Sequence, residues 1–405
     1  MITKWDHFQD KLLGLIEHAT ANSSFYTQRL QGVTDAGWSQ ASFEQIPILE
    51  KSELTGREES LLTDAEAKLY VEYTSGSTGQ PLKCYKSVEE KWKKARLLWG
   101  LRNRNGGVGP KDPYAMFYAF NEDDLSTDPI SIYHEVMYLS MLDLSPERLD
   151  DYYEALLKYR PQWMLSVSTA LYLFANHLLE RKLDRSKLPF KYIEINGEML
   201  FDYQRKAIEE AFGPIVYNHY GSREFWCIGM SCKSGNLHLS SDQLYVEIVN
   251  SDKDGYGNVV ITDLTNRIWP LIRYDTGDIG RLSEQKCDCG SRYPVIEVTG
   301  GRATQYIRSG DWIANPILFH YAVTKVNRNF PDAVRQFRVM QVQEKQFIFY
   351  LVPGKGFQEA AEFLLQQELL HKLPDDVNLT IVHQERLSMD GPKFDYFIPY
   401  RQGNT

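Results

Sequence analysis

Six consecutive residues, Thr74, Ser75, Gly76, Ser77, Thr78 and Gly79, are hydroxyl-bearing or glycine, with Pro81 and Lys83 close behind. Backbone N–H groups in such a glycine-rich turn can converge on phosphate oxygens, and the hydroxyls add neutral donors. Glycine allows close backbone approach and positive φ, and Lys83 could add charge. The spacing is not that of a Walker A loop, and a solvated Ser/Gly surface turn is the competing reading. Further along, "YGSRE" sets Tyr220, Gly221 and the Glu224 carboxylate at the end of a strand-like run, where ligands of α/β sheets gather. "LIRYDTGDIG" brings Asp275 and Asp278 around Thr276-Gly277, and a carboxylate on a turn is a good acceptor for ribose hydroxyls. In "GGRATQYI", Arg302 could pair with phosphate or ribose oxygens. Cys287 and Cys289 form C-x-C before a glycine, and "CKSGNLH" supplies Cys232 and His238. Together these four make a Cys3His set, the composition of a closed structural zinc site. Cys227 is an alternative ligand, and ordinary reduced thiols are the alternative to a metal.

Placing these groups requires a scaffold of alternating elements. Helical periodicity falls near residues 5–20, 88–104, 147–159, 168–182 and 202–212, and strand-like runs occupy 192–196, 215–220, 244–249 and 258–264. That alternation predicts a large α/β body of more than one subdomain. After Gly300-Gly301 the order becomes strand, helix (315–327), strand (334–342), strand (346–352), helix (357–370), strand (377–383). This βαββαβ pattern predicts a small α+β domain, dividing the chain into 1–301 and 302–405.

The composition narrows the function classes. A chain of 405 residues is long enough for a large core, and 43% hydrophobic with 24% charged residues is the composition of an ordinary soluble protein. Its net charge of -9 argues against nucleic acid or an anionic membrane as partner. The first residues lack the uninterrupted apolar core of a signal peptide, and no run of about eighteen apolar residues occurs. Five cysteines in so long a chain are not a disulfide framework, so a cytoplasmic location with reduced thiols is expected.

The motif order T-S-G-S-T-G-x-P, G-E, Y-G-x-x-E, R-Y-x-x-G-D and G-G-R resembles the adenylate-forming superfamily of acyl-CoA synthetases, adenylation domains and luciferases. The longer strings "IPILEKSEL", "YGSREFWCIGMSC" and "CDCGSRYPVIEVTGGR" are similar to the phenylacetate–CoA ligase branch and its capsule-biosynthesis-type relatives. The resemblance implies ATP and Mg²⁺ as cofactors, a carboxylic acid (aromatic by preference) as substrate, and CoA, an amine or a carrier protein as acceptor. Thr74, Ser75, Gly76, Ser77, Thr78 and Gly79 would wrap the β- and γ-phosphates. Gly197 and Glu198 would border the adenine, with Tyr220 and Gly221 against it. Asp278 and Arg302 would hold the ribose, and Glu224 the Mg²⁺. Lys393, in "DGPKFDYF", would bridge the carboxylate and the α-phosphate, so that Lys393, Glu224 and Thr78 form the catalytic set. Cys and His at similar positions in those relatives favour the zinc. The reading leaves room for a homodimer.

This chain departs from the pattern at defined places. Arg223 stands before the glutamate in place of a small or hydroxyl residue, and Thr304 and Gln305 replace an acidic pair after the hinge arginine. "YAFNEDDLSTDPISIYHEVMY", 118–138, replaces a glycine-rich acyl-pocket segment, which argues against phenylacetate itself. Adenylyl transfer to a phenolic hydroxyl, and an inactive nucleotide-binding scaffold, are the alternatives.

Overall fold

The computed structural model describes residues 5–33, 37–74, 82–118, 128–141, 144–240, 242–283, 286–302, 307–309, 312–314, 316–387 and 395–400. Ser75 to Gly79, Thr304, Gln305 and Lys393 lie outside these residues. The chain folds into two compact units, each made of two stretches: Met1–Lys111 with Tyr217–Thr299, and Asp112–Val216 with Gly300–Thr405.

In the first unit, the helix Trp5–Asn22 buries Phe8, Leu12, Leu15, Ile16 and Ala19, the stripe that a 3.6-residue period dictates. This stripe joins Tyr26, Phe43, Tyr245 and Trp269 in one apolar core. The helix Val88–Gly106 starts on a reciprocal Ser87/Glu90 capping box and stops at Gly107, whose φ is 64°. Lys94 pins that helix inward through a 2.6 Å ion pair with Asp263, both side chains being buried. Within this unit the strands lie in the order Leu244–Val249, Gly257–Asp263, Tyr274–Ser283, Val295–Arg302, Leu237–Leu239, Gly229–Ser231 and Val216–Tyr220. A separate antiparallel hairpin pairs Leu69–Tyr73 with Lys83–Ser87, Glu72 lying opposite Cys84.

In the second unit, Tyr192–Asn196, Trp163–Ser166, Tyr114–Tyr118 and Val136–Ser140 pair in parallel, and Ile130–Tyr133 closes the edge antiparallel. The helices Pro146–Tyr159, Ser168–Glu180 and Asp202–Phe212 bury their apolar faces in the accompanying core. Trp163–Ser166 and Tyr192–Asn196 are nearly continuous buried runs, as parallel strands covered by helices require, whereas Tyr114–Tyr118 alternates.

The C-terminal stretch of that unit carries a core of its own, from Phe319, Val323, Val339, Phe349 and Leu365. Its helices Ile317–Asn329 and Glu359–Leu370 match the expected pattern. Its strands form one four-stranded sheet and a separate two-stranded ribbon. The sheet order is Asn378–His383, Gln346–Pro353, Val334–Gln343, Phe397–Ile398. The strand expected ahead of the first helix instead forms a two-stranded ribbon, Ile307–Ser309 with Trp312–Ala314. The place beside Val334–Gln343 is taken by Phe397–Ile398, running parallel to it and burying Phe397 at the edge of the core. Among the described residues, no helix is long and apolar enough to cross a membrane.

Candidate active site

Thr74 is the last described residue before the hydroxyl-rich run, and its amide donates to the Leu82 carbonyl at 3.0 Å. Its hydroxyl accepts from the Leu82 amide at 2.9 Å and from Lys51 Nζ at 3.4 Å. The two ends of the segment 75–81 are therefore held together at the tip of a paired hairpin. This hairpin was not evident from the sequence, because five-residue strands of mixed polarity carry little periodic signal.

Glu224 sits in a tight turn after the strand Val216–Tyr220. The Ile228 amide returns to the Tyr220 carbonyl at 2.9 Å, and the Trp226 amide donates to Ser222 at 2.7 Å. His219 Nε2 donates to the Trp226 carbonyl at 3.1 Å. Gly221 is obligatory here, since a Cβ would stand 1.8 Å from that same carbonyl oxygen. The turn buries Glu224, whose Oε1 accepts from the Tyr274 hydroxyl at 3.1 Å. Burial, then the Glu224 charge, raises the Tyr274 pKa well above 10, so this phenol stays a donor.

The "YDTGD" segment forms part of the ten-residue strand Tyr274–Ser283 rather than a free turn. Its pairing with Gly257–Asp263 shifts register between Asn258 and Val260, and Gly277 has a φ of 76° in the bulge this creates. Asp275 is consumed by structure: it accepts from Gly277 N at 2.8 Å and from Asn258 Nδ2 at 3.0 Å. Asp278 meets Tyr220, whose hydroxyl donates to Oδ2 at 2.7 Å. Burial first, and the Asp278 charge second, hold the Tyr220 pKa well above 10. The structure thus unites Tyr220 with Asp278, and Glu224 with Tyr274, on strands of one unit. Sequence reasoning missed Tyr274 as the Glu224 partner, although it neighbours Asp275 in the same motif.

Arg273, in the same motif, is also structural. It has a φ of 50° and is buried, bonding Glu247 at 3.0 Å and donating to the Ile46 carbonyl at 2.6 Å and to that of Glu44.

In the second unit, Gly197 has a φ of 92° directly after the strand Tyr192–Asn196. Glu198 Oε2 accepts from the Thr169 amide at 2.9 Å and from Ser168 Oγ at 3.1 Å. The carboxylate therefore sits on the N-terminal turn of the helix Ser168–Glu180, where exposed amides and the helix dipole favour negative charge. Arg302 ends the strand Val295–Arg302.

A third constellation is the cysteine and histidine cluster. The ligand atoms of Cys232, His238, Cys287 and Cys289 lie within 4.8 Å of one another. The Cys232 and Cys287 sulfurs are 3.8 Å apart, and Cys289 Sγ is 3.3 Å from His238 Nε2. His238 Nδ1 lies 2.8 Å from the Tyr293 carbonyl, which can only accept, so Nε2 is the nitrogen with a free lone pair toward the sulfurs. The Cys289 amide, then Asn236, draw the Cys287 thiol down to about 6. Desolvation first pushes Cys289 up to about 11. Cys227 is elsewhere, buried with its thiol toward the Gly229 carbonyl at 3.7 Å.

No family model matches the chain. Over 283 residues it is 25% identical to Protein CapK of Staphylococcus aureus, covering 65% of this chain and 60% of that protein. Over 246 residues it is 25% identical to the indoleacetate–lysine synthetase of Pseudomonas savastanoi, covering 59% and 60%. A 142-residue stretch is 28% identical to the phenylacetate–coenzyme A ligase of Thermus thermophilus, covering 33% and 32%. The chain thus spans 60% of the length of the first two of these relatives. Among solved structures, 2-hydroxyisobutyryl-CoA ligase in the postadenylation state matches with a TM-score of 0.73 at 17% identity, covering 98% of this chain and 89% of that one. The chain is therefore related to CapK, the indoleacetate–lysine synthetase and the phenylacetate–CoA ligases, and it has the fold of the adenylate-forming acyl-CoA ligases, as its motifs implied.

Proposed function

We propose that this protein is an ATP-dependent, AMP-forming ligase that joins a carboxylic acid to the α-phosphate of ATP, releases pyrophosphate, and passes the acyl group to CoA, an amine or a carrier protein. The observation that carries this reading is the pairing of two acidic candidates with phenols, Asp278 with the partly buried Tyr220 and Glu224 with the buried Tyr274. A carboxylate fixed in this way meets a ribose or a cation without reorganising, and preorganised charge is the main resource of such chemistry. Asp278 is assigned to the ribose hydroxyls, with Arg302. Thr74 to Gly79 are assigned to the phosphates, with Thr78 among the catalytic groups, and Gly197, Glu198, Tyr220 and Gly221 to the base.

Glu224 fits Mg²⁺, since it is a buried carboxylate and, among the described residues, Tyr274 alone holds it, at one oxygen. When bound, the ion would supply charge neutralisation on the phosphates. Lys393 is assigned to the developing charge between the carboxylate and the α-phosphate. Residues 302–405 are assigned as the domain that turns about Arg302–Gln305 between half-reactions.

The Cys232, His238, Cys287 and Cys289 set fits zinc. A tetrahedron with Zn–S bonds of ~2.3 Å has S···S edges of about 3.8 Å, and the Cys232–Cys287 distance is 3.8 Å. Four protein donors close the site, so the role assigned to the ion is structural.

The relatives whose names carry indoleacetate and phenylacetate favour an aryl acid as substrate, and the residues 118–138 would set its shape. A pyrophosphate-release screen over a panel of aryl and aliphatic carboxylic acids tests the proposal. Acid-dependent release with AMP as co-product supports it, and no release with any acid while ATP fails to bind defeats it. Product mass with CoA or amines present identifies the acceptor.

A further inference from the structure

Beneath the hairpin tip lies a buried charge cluster to which none of the roles above gives a part. Lys86 is fully buried, and its Nζ bonds Glu72 Oε2 at 3.0 Å, the Glu72 side chain being 10% exposed. The two are diagonal neighbours across the hairpin, Lys86 standing opposite Tyr70 and Glu72 opposite Cys84. Lys86 Nζ also donates to the Arg223 carbonyl at 2.7 Å. Glu72 Oε2 accepts a second bond from the Trp226 indole Nε1 at 2.6 Å. Arg223 and Trp226 flank Glu224 in sequence, so the hairpin grips its turn on both sides. Glu72 is two residues from Thr74, whose bonds to Leu82 close the hairpin tip.

Burying an ion pair is a poor source of stability, because desolvation offsets most of the attraction. An apolar pair of similar volume would hold two strands together as well. What the ion pair adds is direction: each donor and acceptor fixes one atom of the 221–226 turn relative to the strand that leads into the hydroxyl-rich run. Trp226 has a φ of 65°, and its carbonyl fills the space left by Gly221, so the turn has little freedom to adjust without the bond to Glu72.

We infer that Glu72, Lys86 and Trp226 are positioning residues, which hold the turn that carries Glu224 in register with the hairpin end at Thr74 and so fix the Glu224 carboxylate for Mg²⁺–ATP. This rests on the ligase reading above, and it adds a coupling that the ligase reading does not itself require.

The test uses the full chain and two variants. Trp226→Phe removes the indole N–H and keeps an aromatic ring. The double variant Glu72→Gln/Lys86→Met removes both charges together and leaves neither partner buried alone. Calorimetry measures ATP binding with and without Mg²⁺, hydrogen exchange reads the amides of 221–228, and ATP–pyrophosphate exchange gives the Mg²⁺ concentration for half-maximal rate. The inference expects the Mg²⁺ requirement to rise on the order of tenfold in both variants, as for loss of one hydrogen bond to a charged group. It expects faster amide exchange in the turn and weaker ATP binding only when Mg²⁺ is present. Parent-like Mg²⁺ dependence in both variants overturns the inference and leaves the ligase reading standing. Equal loss of ATP affinity with and without Mg²⁺ also overturns it, as a general structural role. A parent chain that binds no ATP overturns the ligase reading and the inference together.

Discussion

Replacing Cys287 by serine removes one corner of the Cys232–His238–Cys287–Cys289 cluster and, on the zinc assignment, releases the ion. The size of the effect follows from what the ion ties together. Cys232 and Cys287 are 55 residues apart in sequence, and His238 on the strand Leu237–Leu239 already faces Val295 across the sheet. A cross-link closing a loop of that length restricts the unfolded chain by about 4 kcal/mol in the chain-entropy description. At ~2–4 °C per kcal/mol for a unit of this size, the melting midpoint should fall by roughly 8–16 °C. The apolar core around Ile296 is built from residues other than the four ligands, so a folded, less stable protein is expected rather than an unfolded one. Elemental analysis should find one zinc per chain in the parent and far less in Cys287→Ser, and scanning calorimetry should show the drop. Cys227→Ser, at a buried thiol outside the cluster, should keep its zinc. A parent without zinc, melting at the same midpoint as Cys287→Ser, would refute the reasoning.

The other expectations are more compact. Asp278→Ala should weaken ATP binding by about 1.5–3 kcal/mol, as for loss of a charge-assisted acceptor; calorimetry at the parent's affinity would reject the ribose assignment. Lys393→Ala should slow adenylation by a factor on the order of 10²–10³ while acyl transfer from a supplied acyl-adenylate changes far less; equal rates in both assays would reject the lysine assignment. His320 is fully buried, its ring stacked on Phe201 at 3.5 Å between centroids, with neither nitrogen bonded among the described residues, and burial holds its pKa well below 6.5. The unfolded chain then binds the proton first, so stability should fall as pH drops below about 6.5, by up to ~1.4 kcal/mol per pH unit; chemical denaturation of His320→Phe should lose that slope, and an unchanged slope would count against the argument.

The long helices were legible because their periodicity and stop signals agree: Val88–Gly106 runs from a Ser87/Glu90 box to Gly107. The parallel strands "YAMFY" and "WMLS" were not, because short, almost wholly apolar runs show no alternation of residue type that separates a strand from a helix segment. The pairing within the C-terminal sheet was not legible for a different reason. Ile307–Ser309 reads as a strand and is one, but its partner is the adjacent Trp312–Ala314, and nothing local shows that the two-residue strand Phe397–Ile398 takes the sheet edge. At the candidate site, motif order was enough to bring Tyr220, Asp278, Glu224 and the four metal-type ligands to attention. It gave no sign of Glu72 and Lys86, since a buried ion pair is defined by a partner across a hairpin and not by residue type.

The two halves of the proposed reaction rest on contacts of unequal strength. The groups assigned to adenylation and those that position them are held by buried or part-buried bonds: Tyr274 to Glu224, Tyr220 to Asp278, Lys86 to Glu72. Breaking any of these strands a desolvated polar group, at a cost of several kcal/mol for a buried charge. The C-terminal stretch meets the 112–216 stretch of its own unit differently. Arg328 reaches Asp202 at 3.7 Å with side chains 72% and 85% exposed, and Lys355 reaches Glu180 at 3.9 Å. Exposed pairs of this kind contribute ~0–1 kcal/mol each. Arg335 to Glu180, partly buried, the Phe201–His320 stack and Tyr203 against the C-terminal core add to these. If residues 302–405 turn as proposed, these exposed pairs cost little to break, and the stack of Phe201 on the buried His320 is the contact such a turn has to undo. A domain that changes partners and a carboxylate frame that stays fixed are the two requirements of a ligase that makes an adenylate and then gives its acyl group away.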